Sequence, residues 1–377
     1  MRPDYAGGSL VNLVASVVQS RRGKPLHEPL RGLDIPESQN LVLLIIDGLG
    51  DNYLMRAGRG GELARRRKRS MTSVFPSTTA SAITTSYTGR TPLEHGLTGW
   101  FTYFGQAGCV AAALPFRSRG DMASLAARGV TPDEIYTCAS LFSQLETRSI
   151  VVTYREIINS EYNTVHCRGA EKLAYDDADG FVAQIERAVK SGAEKKFIYA
   201  YWPHYDQCSH RFGSESAQAA AELARIDEAF SQVLKRLAGT DTFILATSDH
   251  GFVDAPVEDC LELPLALASQ LRFPLCGERR VAYCHVHSPD EFIRRAKDWL
   301  GDRADVVFSG KLVEEGWFGP GRPHERFAER IGDVAIVMRG KYTMKDWTLG
   351  EARWLHLGNH GGTHEDEMTI PLIMEEA

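Results

Sequence analysis

The sequence has few features of a disulfide-stabilised or nucleic-acid-binding protein. Its seven cysteines are scattered, odd in number and form no C-x-x-C pair, which argues against a disulfide framework and against a cysteine zinc site. The net charge of −6 gives no overall basic character, so we expect no nucleic-acid partner. The one basic run, Arg65–Arg69, is typical of a solvated surface, although such a run can also contact phosphate groups.

Long hydrophobic runs are also missing. The apolar segment Leu10–Val18 is too short for a membrane span, and no basic segment and cleavage site frame it as a secretion signal. We interpret it as an amphipathic helix, and expect a cytoplasmic protein without a membrane partner. The 377 residues, 43% of them hydrophobic and 24% charged, suffice for one large domain or a domain plus an insert.

Three short apolar runs end in acidic residues or histidines, and they are typical of buried strands. They are Asn40–Ile46 before Asp47, Lys196–Trp202 before Asp206 and His210, and Thr242–Thr247 before Asp249 and His250. In open α/β sheets, ligands bind beyond the carboxyl ends of the strands. These side chains are therefore candidates for chemistry rather than for packing alone.

The order of elements predicts an α/β fold. An amphipathic helix over Ser214–Leu237 joins two of the apolar runs, and this strand–helix–strand order favours parallel strands with right-handed crossovers. We also expect a helix over Asp51–Arg69, interrupted by its glycines and ending in the basic run, and a helix over Ala174–Lys190. Residues 252–344 have their own β-α-β-α-β pattern and are interpreted as an insert packing over the edge of the sheet. Met368–Met374 is expected to return to the main sheet as its last strand.

Thr79 stands at a second kind of candidate position. Met71–Phe75 is a possible strand that Pro76 ends, and Ala80–Thr88 is rich in small residues and can form a helix close to the sheet. A threonine at the start of such a helix is a common N-cap. It is also a possible nucleophile, because the positive end of the helix would favour a phosphoryl group there.

Together these positions supply carboxylate, imidazole and hydroxyl groups, the donors that zinc and similar divalent ions accept. The set is Asp47, Thr79, Asp206, His210, Asp249, His250 and His360. Seven donors are too many for one tetrahedral ion, but they suit two ions with positions left for substrate. Paired ions of this kind stabilise both the attacking and the leaving oxygen in a displacement reaction.

Six motifs carry a family resemblance. They are Ile46-Asp47-Gly48, Pro76-x-x-Thr79 with Thr88-Gly89, Pro92-x-x-His95-Gly96, Asp206-x-x-Ser209-His210, Thr247-Ser248-Asp249-His250-Gly251 and Asn359-His360-Gly361. In this order they resemble the alkaline phosphatase superfamily, specifically its nucleotide pyrophosphatase/phosphodiesterase (type I phosphodiesterase) branch. The resemblance implies a three-layer αβα sandwich with a mostly parallel central sheet and a small α+β insert. It suggests a core of residues 1–251 and 345–377 and an insert of 252–344.

The resemblance also implies a ligand set and a reaction. One ion would be bound by Asp206, His210 and His360, and the second by Asp47, Thr79, Asp249 and His250; Zn²⁺ is expected and Mn²⁺ is an alternative. Thr79 would attack phosphorus and form a covalent phospho-threonine, since coordination makes its hydroxyl a better nucleophile. The first ion would activate the water that hydrolyses this intermediate. The substrate would be a small phosphate ester, such as a nucleotide, and an oligomer is possible.

Two positions depart from the family pattern. Ala80-Ser81-Ala82 stands where the branch usually has Phe-Pro-Asn, and Trp100 stands where an asparagine usually holds a phosphate oxygen. Thr98 is the neighbouring residue that could replace this donor. The aromatic residues around Trp100 could stack on a flat leaving group or pack in the core.

Other functions on the same scaffold therefore stay open. Phosphodiester or pyrophosphate hydrolysis is the leading hypothesis, and phosphomonoester or phosphonate hydrolysis is the alternative, because contacts in the pocket decide between them. The absence of C-x-P-x-R and C-x-A-x-R disfavours a sulfatase, and the threonine disfavours the phosphoglycerate mutases, which use serine. The non-enzymatic alternative is a metal-binding scaffold without catalysis.

Overall fold

The computed structural model describes residues 1–351 and 353–377. Along these residues the strands are β1 (Asn40–Ile46), β2 (Arg67–Thr72), β3 (Phe101–Phe104), β4 (Cys109–Ala112), β5 (Arg117–Ser118), β6 (Arg148–Tyr154), β7 (Ala170–Tyr175), β8 (Lys196–Trp202), β9 (Thr242–Thr247), β10 (Val253–Asp254), β11 (Cys260–Glu262), β12 (Cys276–Gly277), β13 (Val281–Cys284), β14 (Ala304–Phe308), β15 (Val334–Met338), β16 (Thr343–Lys345), β17 (Gly358–Asn359) and β18 (Thr369–Glu376).

The α-helices are α1 (Leu10–Ser20), α2 (Asp51–Ala57), α3 (Glu62–Arg66), α4 (Thr79–Thr88), α5 (Pro92–His95), α6 (Pro132–Ile135), α7 (Glu161–His166), α8 (Ala178–Lys190), α9 (His204–Phe212), α10 (Ala217–Leu237), α11 (Leu265–Ala268), α12 (Pro289–Leu300), α13 (Ser309–Glu314), α14 (Phe327–Ile331) and α15 (Glu365–Met368). Short 3₁₀ helices cover Leu125–Arg128, Leu141–Ser143, Val257–Asp259 and Gly301–Arg303.

The central sheet has the strand order β2-β18-β9-β1-β8-β6-β7. The five strands from β9 to β7 are parallel, and β18 runs antiparallel to both of its neighbours. The structure confirms the predicted return of the chain to this sheet, as β18. It also confirms the predicted α/β class with a mainly parallel central sheet. Since β1 lies in the middle of the sheet, its carboxyl end is flanked by those of β8 and β9.

Both faces of this sheet are covered by helices. All seven residues of β1 are buried, and they alternate between two hydrophobic cores. Leu41, Leu43 and Ile45 pack on the side of α1 and α4, whereas Val42, Leu44 and Ile46 pack on the side of α8 and α10. Burying such a side chain stabilises the fold by about 1.5–3 kcal/mol relative to leaving it exposed. The result is the three-layer sandwich that the family resemblance implied.

Helix α1 differs from the amphipathic helix that its sequence predicts. Residues Leu10–Val18 are buried without interruption, including the polar Asn12 and Ser16. The following segment covers the outer side of the helix: Asn12 donates to the Glu28 carbonyl at 2.7 Å, and the Leu30 N–H donates to Ser16 at 2.8 Å. None of the described helices combines the length and the apolarity needed to cross a membrane.

Two predicted helices were wrong in extent. In the segment Asp51–Arg69 the predicted interruption is confirmed, since α2 ends at its C-cap Gly58 and α3 begins after Gly61. The chain then enters β2 at Arg67, so the basic run begins in a helix and ends in a strand. Its Arg67 forms an ion pair with Asp51 at 2.7 Å, which holds the strand against α2. In the second case, the first residues of the predicted helix Ala174–Lys190 belong to the edge strand β7.

A second sheet of seven strands lies beside the first, in the order β14-β15-β13-β12-β3-β4-β5, and its paired strands are antiparallel. It combines strands from residues 101–118 with strands from residues 276–338, so it extends beyond the segment 252–344. The two groups meet where Gly277 pairs with Phe101. This junction places residues of the second sheet next to the carboxyl ends of the central strands.

Candidate active site

The seven candidate ligands converge at the carboxyl edge of the central sheet. Asp47 follows β1, and Asp249 and His250 follow β9. Asp206 and His210 lie one turn apart on α9, which begins just after β8. Thr79 is the first residue of α4, and His360 follows β17. The fold thus brings together side chains that are up to 313 residues apart in the chain, from Asp47 to His360.

One cluster is formed by Asp206, His210 and His360. The two histidine Nε2 atoms lie 3.1 Å apart, and Asp206 Oδ1 lies 3.4 Å from His210 Nε2 and 3.7 Å from His360 Nε2. His210 Nδ1 donates to the Gly358 carbonyl at 2.9 Å, which leaves the Nε2 lone pair directed at the cluster. Asp206 Oδ1 is buried without a hydrogen-bond partner among the described residues.

The second cluster surrounds His250 Nε2. This atom lies 3.1 Å from Thr79 Oγ1, 3.3 Å from Asp47 Oδ1 and 3.4 Å from Asp249 Oδ2. His250 Nδ1 donates to the Gly251 carbonyl at 3.1 Å, so the ring is held with Nε2 towards the carboxylates. Asp249 Oδ2 is another buried oxygen that lacks a hydrogen-bond partner within the described chain.

The two clusters adjoin. His250 and His360 stack with ring centroids 3.8 Å apart, and His250 Nε2 lies 3.8 Å from Asp206 Oδ1. For this reason Asp206, His250 and His360 also form a group whose ligand atoms lie within 4.8 Å of one another. The family resemblance implies which side chains would bind each ion. The structure shows that all of these groups lie close together.

The spacing of these atoms suits divalent cations. Zinc is bound tetrahedrally by nitrogen and oxygen ligands at about 2.0–2.1 Å, which puts neighbouring ligand atoms about 3.3 Å apart. The separations of 3.1–3.7 Å in the first cluster and 3.1–3.4 Å in the second bracket this distance. Each cluster is therefore of the size that one such ion requires, with unpartnered carboxylate oxygens to bind it.

The electrostatics of the clusters favour cation binding as well. Burial raises the pKa of Asp47 to about 6 and that of Asp249 to about 7, and it raises the pKa of Asp206 well above its ordinary value. Burial lowers the pKa of His210 to about 3 and that of His360 well below its ordinary value. A cation stabilises the carboxylate anions that burial disfavours, and it requires the neutral histidines that burial favours.

Thr79 faces this site from the start of α4. Its Oγ1 also donates to Asp47 Oδ1 at 3.4 Å. The preceding Thr78 occupies the N-cap position but makes no capping hydrogen bond with its side chain. The Ser81 N–H donates to the Thr78 carbonyl at 3.1 Å, and the Thr79 and Ala80 N–H groups at the helix start have no side-chain acceptor, which favours an anionic group bound there.

A cleft of about 370 Å³ opens onto Thr79. Of the two residues predicted to contact substrate, only Trp100 lines this cleft. Trp100 lines the cleft and is 37% exposed, whereas Thr98 is 1% exposed and lies outside the lining. The other aromatic residues divide between the two predicted roles. Phe101 lines the cleft and Phe104 is buried in the core.

Several residues at the site carry no sequence signal that predicts them. The Tyr201 hydroxyl donates to Asp47 Oδ2. Glu278 of the second sheet accepts hydrogen bonds from Thr78 Oγ1 and from the Trp100 N–H, both at 2.6 Å. The cleft wall also includes Arg279 and Lys345. Tyr201 lies within β8, where it reads as one more residue of a buried strand, and the other three come from residues 276–345, far along the chain from Thr79. Spacing along the chain therefore does not reveal them.

Comparison with known structures supports the fold. Murine ectonucleotide pyrophosphatase/phosphodiesterase 5, an inactive threonine-to-alanine variant in complex with AMP, has a TM-score of 0.66 at 15% identity over 88% of this chain and 87% of that chain. The human protein of the same name has a TM-score of 0.65 at 16% identity over 89% and 87%. Phosphonoacetate hydrolase from Sinorhizobium meliloti, in complex with phosphonoacetate, has a TM-score of 0.65 at 15% identity over 91% and 92%.

The sequence itself matches a family model. The model is described as type I phosphodiesterase/nucleotide pyrophosphatase and covers residues 41–364. No curated protein sequence matches the chain. The family match and the Asp/His clusters together support a phosphoryl hydrolase of the metal-dependent type. The matched region includes all seven candidate ligands, and we conclude that the chain belongs to the type I phosphodiesterase/nucleotide pyrophosphatase family.

Proposed function

We propose that the protein is a two-metal hydrolase that cleaves phosphodiester or pyrophosphate bonds through a covalent phospho-threonine at Thr79. The observation that carries this proposal is the placement of Thr79 Oγ1. It lies 3.1 Å from His250 Nε2 in a cation-sized cluster, at the N-terminus of a ten-residue helix. One side chain thus combines a hydroxyl group, neighbouring ligand atoms and an anion-favouring helix end.

In this proposal Asp206, His210 and His360 hold one ion, and Asp47, Thr79, Asp249 and His250 hold the other. When bound, Zn²⁺ or Mn²⁺ would lower the pKa of a ligated hydroxyl group and neutralise charge on the phosphoryl oxygens. Zn²⁺ is our first choice because nitrogen and oxygen donors at tetrahedral spacing surround both positions. His210 and His250 are held with Nε2 facing the site by their Nδ1 hydrogen bonds.

The reaction then has two displacements at phosphorus. Thr79 Oγ1 forms a new P–O bond, the leaving group departs with the electron pair of the broken bond, and the hydroxyl proton is released to water. A water molecule next attacks the phosphorylated threonine. The Thr79 oxygen leaves with the electron pair of its P–O bond, takes up a proton and is restored. The first-turn amides of α4 stabilise the developing negative charge in both steps.

Two relatives illustrate the chemistry of this fold. The inactive murine variant carries a threonine-to-alanine substitution and binds AMP, which agrees with a threonine at the centre of the reaction. The bacterial relative is a phosphonoacetate hydrolase, so the fold also serves cleavage of phosphonates. From these we infer a small phosphate or phosphonate compound as substrate.

Phosphomonoester or phosphonate hydrolysis is the second candidate, and the surroundings of Trp100 favour it. Where the branch usually places an asparagine, Trp100 lines the cleft, and its backbone N–H donates to the Glu278 carboxylate at 2.6 Å. A carboxylate therefore replaces an amide donor near the phosphoryl position. The asparagine of the diesterase pattern donates to a phosphate oxygen, and a carboxylate cannot make this donation. We therefore infer weaker recognition of that oxygen.

We further propose a cytoplasmic protein that acts on a small molecule, without nucleic-acid or membrane partners, and in which self-association is possible. The composition supports this proposal, since the net charge is −6 and the basic run Arg65–Arg69 is partly tied up in ion pairs. The non-enzymatic alternative, a metal-binding scaffold, predicts ion binding without turnover of any ester.

The test is turnover by the metal-loaded protein of p-nitrophenyl phosphate and of bis-p-nitrophenyl phosphate, before and after EDTA. We expect Thr79→Ala to lower kcat by at least about a thousandfold because the nucleophile is removed. The variant should still bind two ions by elemental analysis, since three other ligands remain at that position. Thr79→Ser is the matched control, because it keeps the hydroxyl group.

The outcomes separate the alternatives. Activity near that of the wild type in Thr79→Ala would show that Thr79 is not the nucleophile. Preference for the monoester would replace the diesterase proposal with the second candidate. Ion binding without turnover of either ester would favour the scaffold.

A further inference from the structure

Two cations on the cleft wall are only partly paired by the protein groups around them. Arg279 Nη1 is buried and has no hydrogen-bond partner among the described residues, while Nη2 donates to the Trp354 carbonyl at 2.8 Å. The side chain of Lys345 is 14% exposed; its Nζ lies 4.4 Å from the centre of the Trp347 ring, and the only carboxylate oxygen within 4.0 Å among the described residues is Glu351 Oε2, at that limit. A buried charged donor such as Arg279 Nη1 is normally paired.

The nearby acidic side chains are already engaged. Arg119 forms ion pairs with Asp346 at 2.8 Å and with Glu351 at 2.8 Å. Asp346 accepts a further hydrogen bond from the Leu275 N–H at 2.8 Å. Arg119 thus takes the short ion pairs of both carboxylates, and Lys345 has only the longer 4.0 Å approach to Glu351 Oε2.

The backbone fixes the two cations beside each other. The Met344 N–H donates to the Arg279 carbonyl at 2.8 Å, which places Lys345 next to Arg279. Burial lowers the pKa of Lys345, and the charge of Arg279 lowers it further. Two neighbouring positive charges in a partly desolvated wall repel each other, and an anion between them would relieve this repulsion.

The cations share the cleft with the reacting group. Arg279 and Lys345 line the same 370 Å³ space as Thr79, Asp206 and His360. Thr79 begins α4 at the carboxyl edge of the central sheet, whereas both cations belong to strands and turns of residues 276–345. A compound whose phosphoryl group lies against Thr79 therefore extends its remaining part towards this wall.

We propose that Arg279 and Lys345 form a subsite for a second anionic group on the substrate, either a carboxylate or a second phosphate. The inference rests on the proposed function, because it takes the phosphoryl group to lie at Thr79. It narrows the substrate to small compounds in which a hydrolysable phosphoryl or phosphonyl group and another anion are joined by a short linker. Arginine provides a planar donor pair for carboxylate or phosphate oxygens, and lysine adds a point charge.

The test is calorimetric binding of three non-ester probes to the zinc-loaded wild-type protein. Propylphosphonate carries the phosphonate group alone, 3-phosphonopropanoate adds a carboxylate, and ethane-1,2-diphosphonate adds a second phosphonate. We expect the better of the two dianionic probes to bind about tenfold or more tightly than propylphosphonate, as a charged hydrogen bond would provide. The probe that gains more identifies the second anion as a carboxylate or a phosphate.

Variants of Arg279 and Lys345 test whether these two residues cause the tighter binding of the dianionic probes. Arg279→Met and Lys345→Met should each remove most of the gain while leaving the affinity for propylphosphonate unchanged, and Arg279→Lys should restore part of it. Arg294→Gln is the matched control, since Arg294 lies on α12 with a 65% exposed side chain and does not line the cleft. Melting curves identify a variant that has lost its fold, in which case Arg279→Lys and Lys345→Gln decide.

Two results would overturn the subsite. Equal affinity for all three probes would do so, and so would a gain that persists in both Met variants, because the second anion would then bind elsewhere, for example at the ions. If propylphosphonate itself fails to bind the zinc-loaded protein, the failure belongs to the proposed function.

Discussion

Glu278 reaches from the second sheet to the start of α4, where its carboxylate is largely enclosed. It accepts hydrogen bonds from the Thr78 hydroxyl and from the Trp100 N–H. Burial nevertheless raises the pKa of Glu278 to about 7, because the two donors compensate only part of the cost of removing the anion from water. Glu278 thus connects the threonine that precedes the proposed nucleophile to the wall of the cleft.

This raised pKa predicts a pH-dependent cost in stability. The pKa of an unfolded glutamate is about 4.3, so the folded protein holds this proton more tightly, and the free energy of unfolding falls as the pH rises from about 4 to about 7. Glu278→Gln keeps an oxygen acceptor and has no charge. At pH 8 we expect the metal-free variant to be more stable than the wild type by roughly 1–3 kcal/mol, and the difference to shrink at pH 5.

Urea denaturation of the metal-free proteins at both pH values measures this difference. Glu228→Gln, at an exposed position of α10, is the matched control and should show no such pH dependence. An equal effect of Glu278→Gln at both pH values would contradict the buried charge.

The sequence predicts the site residues that come soon after a buried strand. It does not predict the site residues that another part of the chain places there by folding. Asp47, Asp249 and His250 stand out because an apolar run ends at each of them. Glu278 has no such mark, since it lies in a turn between β12 and β13 and meets Thr78 only in the folded protein. Thr98 was a reasonable donor from its position in the chain, but its burial excludes it from the cleft lining.

Among the elements, the loops after β1 and β9 pass each other at two glycines. A Cβ atom on Gly251 would lie 2.0 Å from the Asp366 carbonyl oxygen and 2.8 Å from the Gly50 Cα. The Gly251 N–H donates to the Glu367 carbonyl at 2.9 Å, so the loop is held against the segment that precedes β18. This close approach sets the direction in which His250 leaves its strand.

We therefore expect Gly251→Ala to displace the loop and to weaken one ion position. Stability should fall by about 1–3 kcal/mol, as in other overpacked sites, and zinc affinity should fall by about tenfold or more, because His250 is repositioned. Zinc titration by calorimetry together with thermal melting measures both changes.

Gly310→Ala is the matched control for this substitution. Gly310 lies on α13, and a Cβ atom there would have no neighbour within 4 Å. This change should preserve zinc binding and should leave stability unchanged or raise it by up to about 1 kcal/mol. Unaltered zinc affinity in Gly251→Ala would show that the loop adapts without moving His250.

The elements that the sequence predicts correctly are those whose pattern matches their burial. Strands β1, β8 and β9 are continuous apolar runs because both of their faces are covered, and α10 has one apolar face because its other side meets solvent. The pattern fails for α1, whose polar Asn12 and Ser16 are buried by a neighbouring loop. It also fails for β2 and β7, edge strands whose partly exposed residues carry little apolar signal.

At the scale of the whole molecule, ion binding joins distant parts of the chain. The candidate ligands extend from Asp47 to His360, and the carboxylates among them are disfavoured as anions by burial. Ions that bind only the folded state therefore stabilise the whole protein in proportion to the logarithm of their free concentration.

We expect removal of metal with EDTA to lower the melting temperature. With free zinc at a thousand times its Kd, the stabilisation should be about 4 kcal/mol. It should decrease as the pH falls, because protons compete with the ion for the carboxylates and histidines. Scanning calorimetry with zinc and with EDTA at pH 5 and pH 8 measures this. Melting curves that are the same with zinc as with EDTA at both pH values would exclude an ion centre of this kind.

The second sheet shows what the sequence does not reveal at this scale. The segment 252–344 has a recognisable alternation of strands and helices, but nothing in residues 101–118 indicates that they complete the same sheet. The strand pairing between the two groups is the pair Gly277 and Phe101, which are far apart in the chain. For this reason the cleft wall, and with it the substrate, could not be inferred from the order of motifs.

The position of β18 has a consequence for how the polypeptide is made. This strand fills the gap between β2 and β9, although both of them leave the ribosome long before residues 369–376 do. Until then, the nascent chain presents two unpaired strand edges to its surroundings, where pairing with other chains is favoured. We therefore expect the yield of native protein to depend on chaperones that shield this gap during translation.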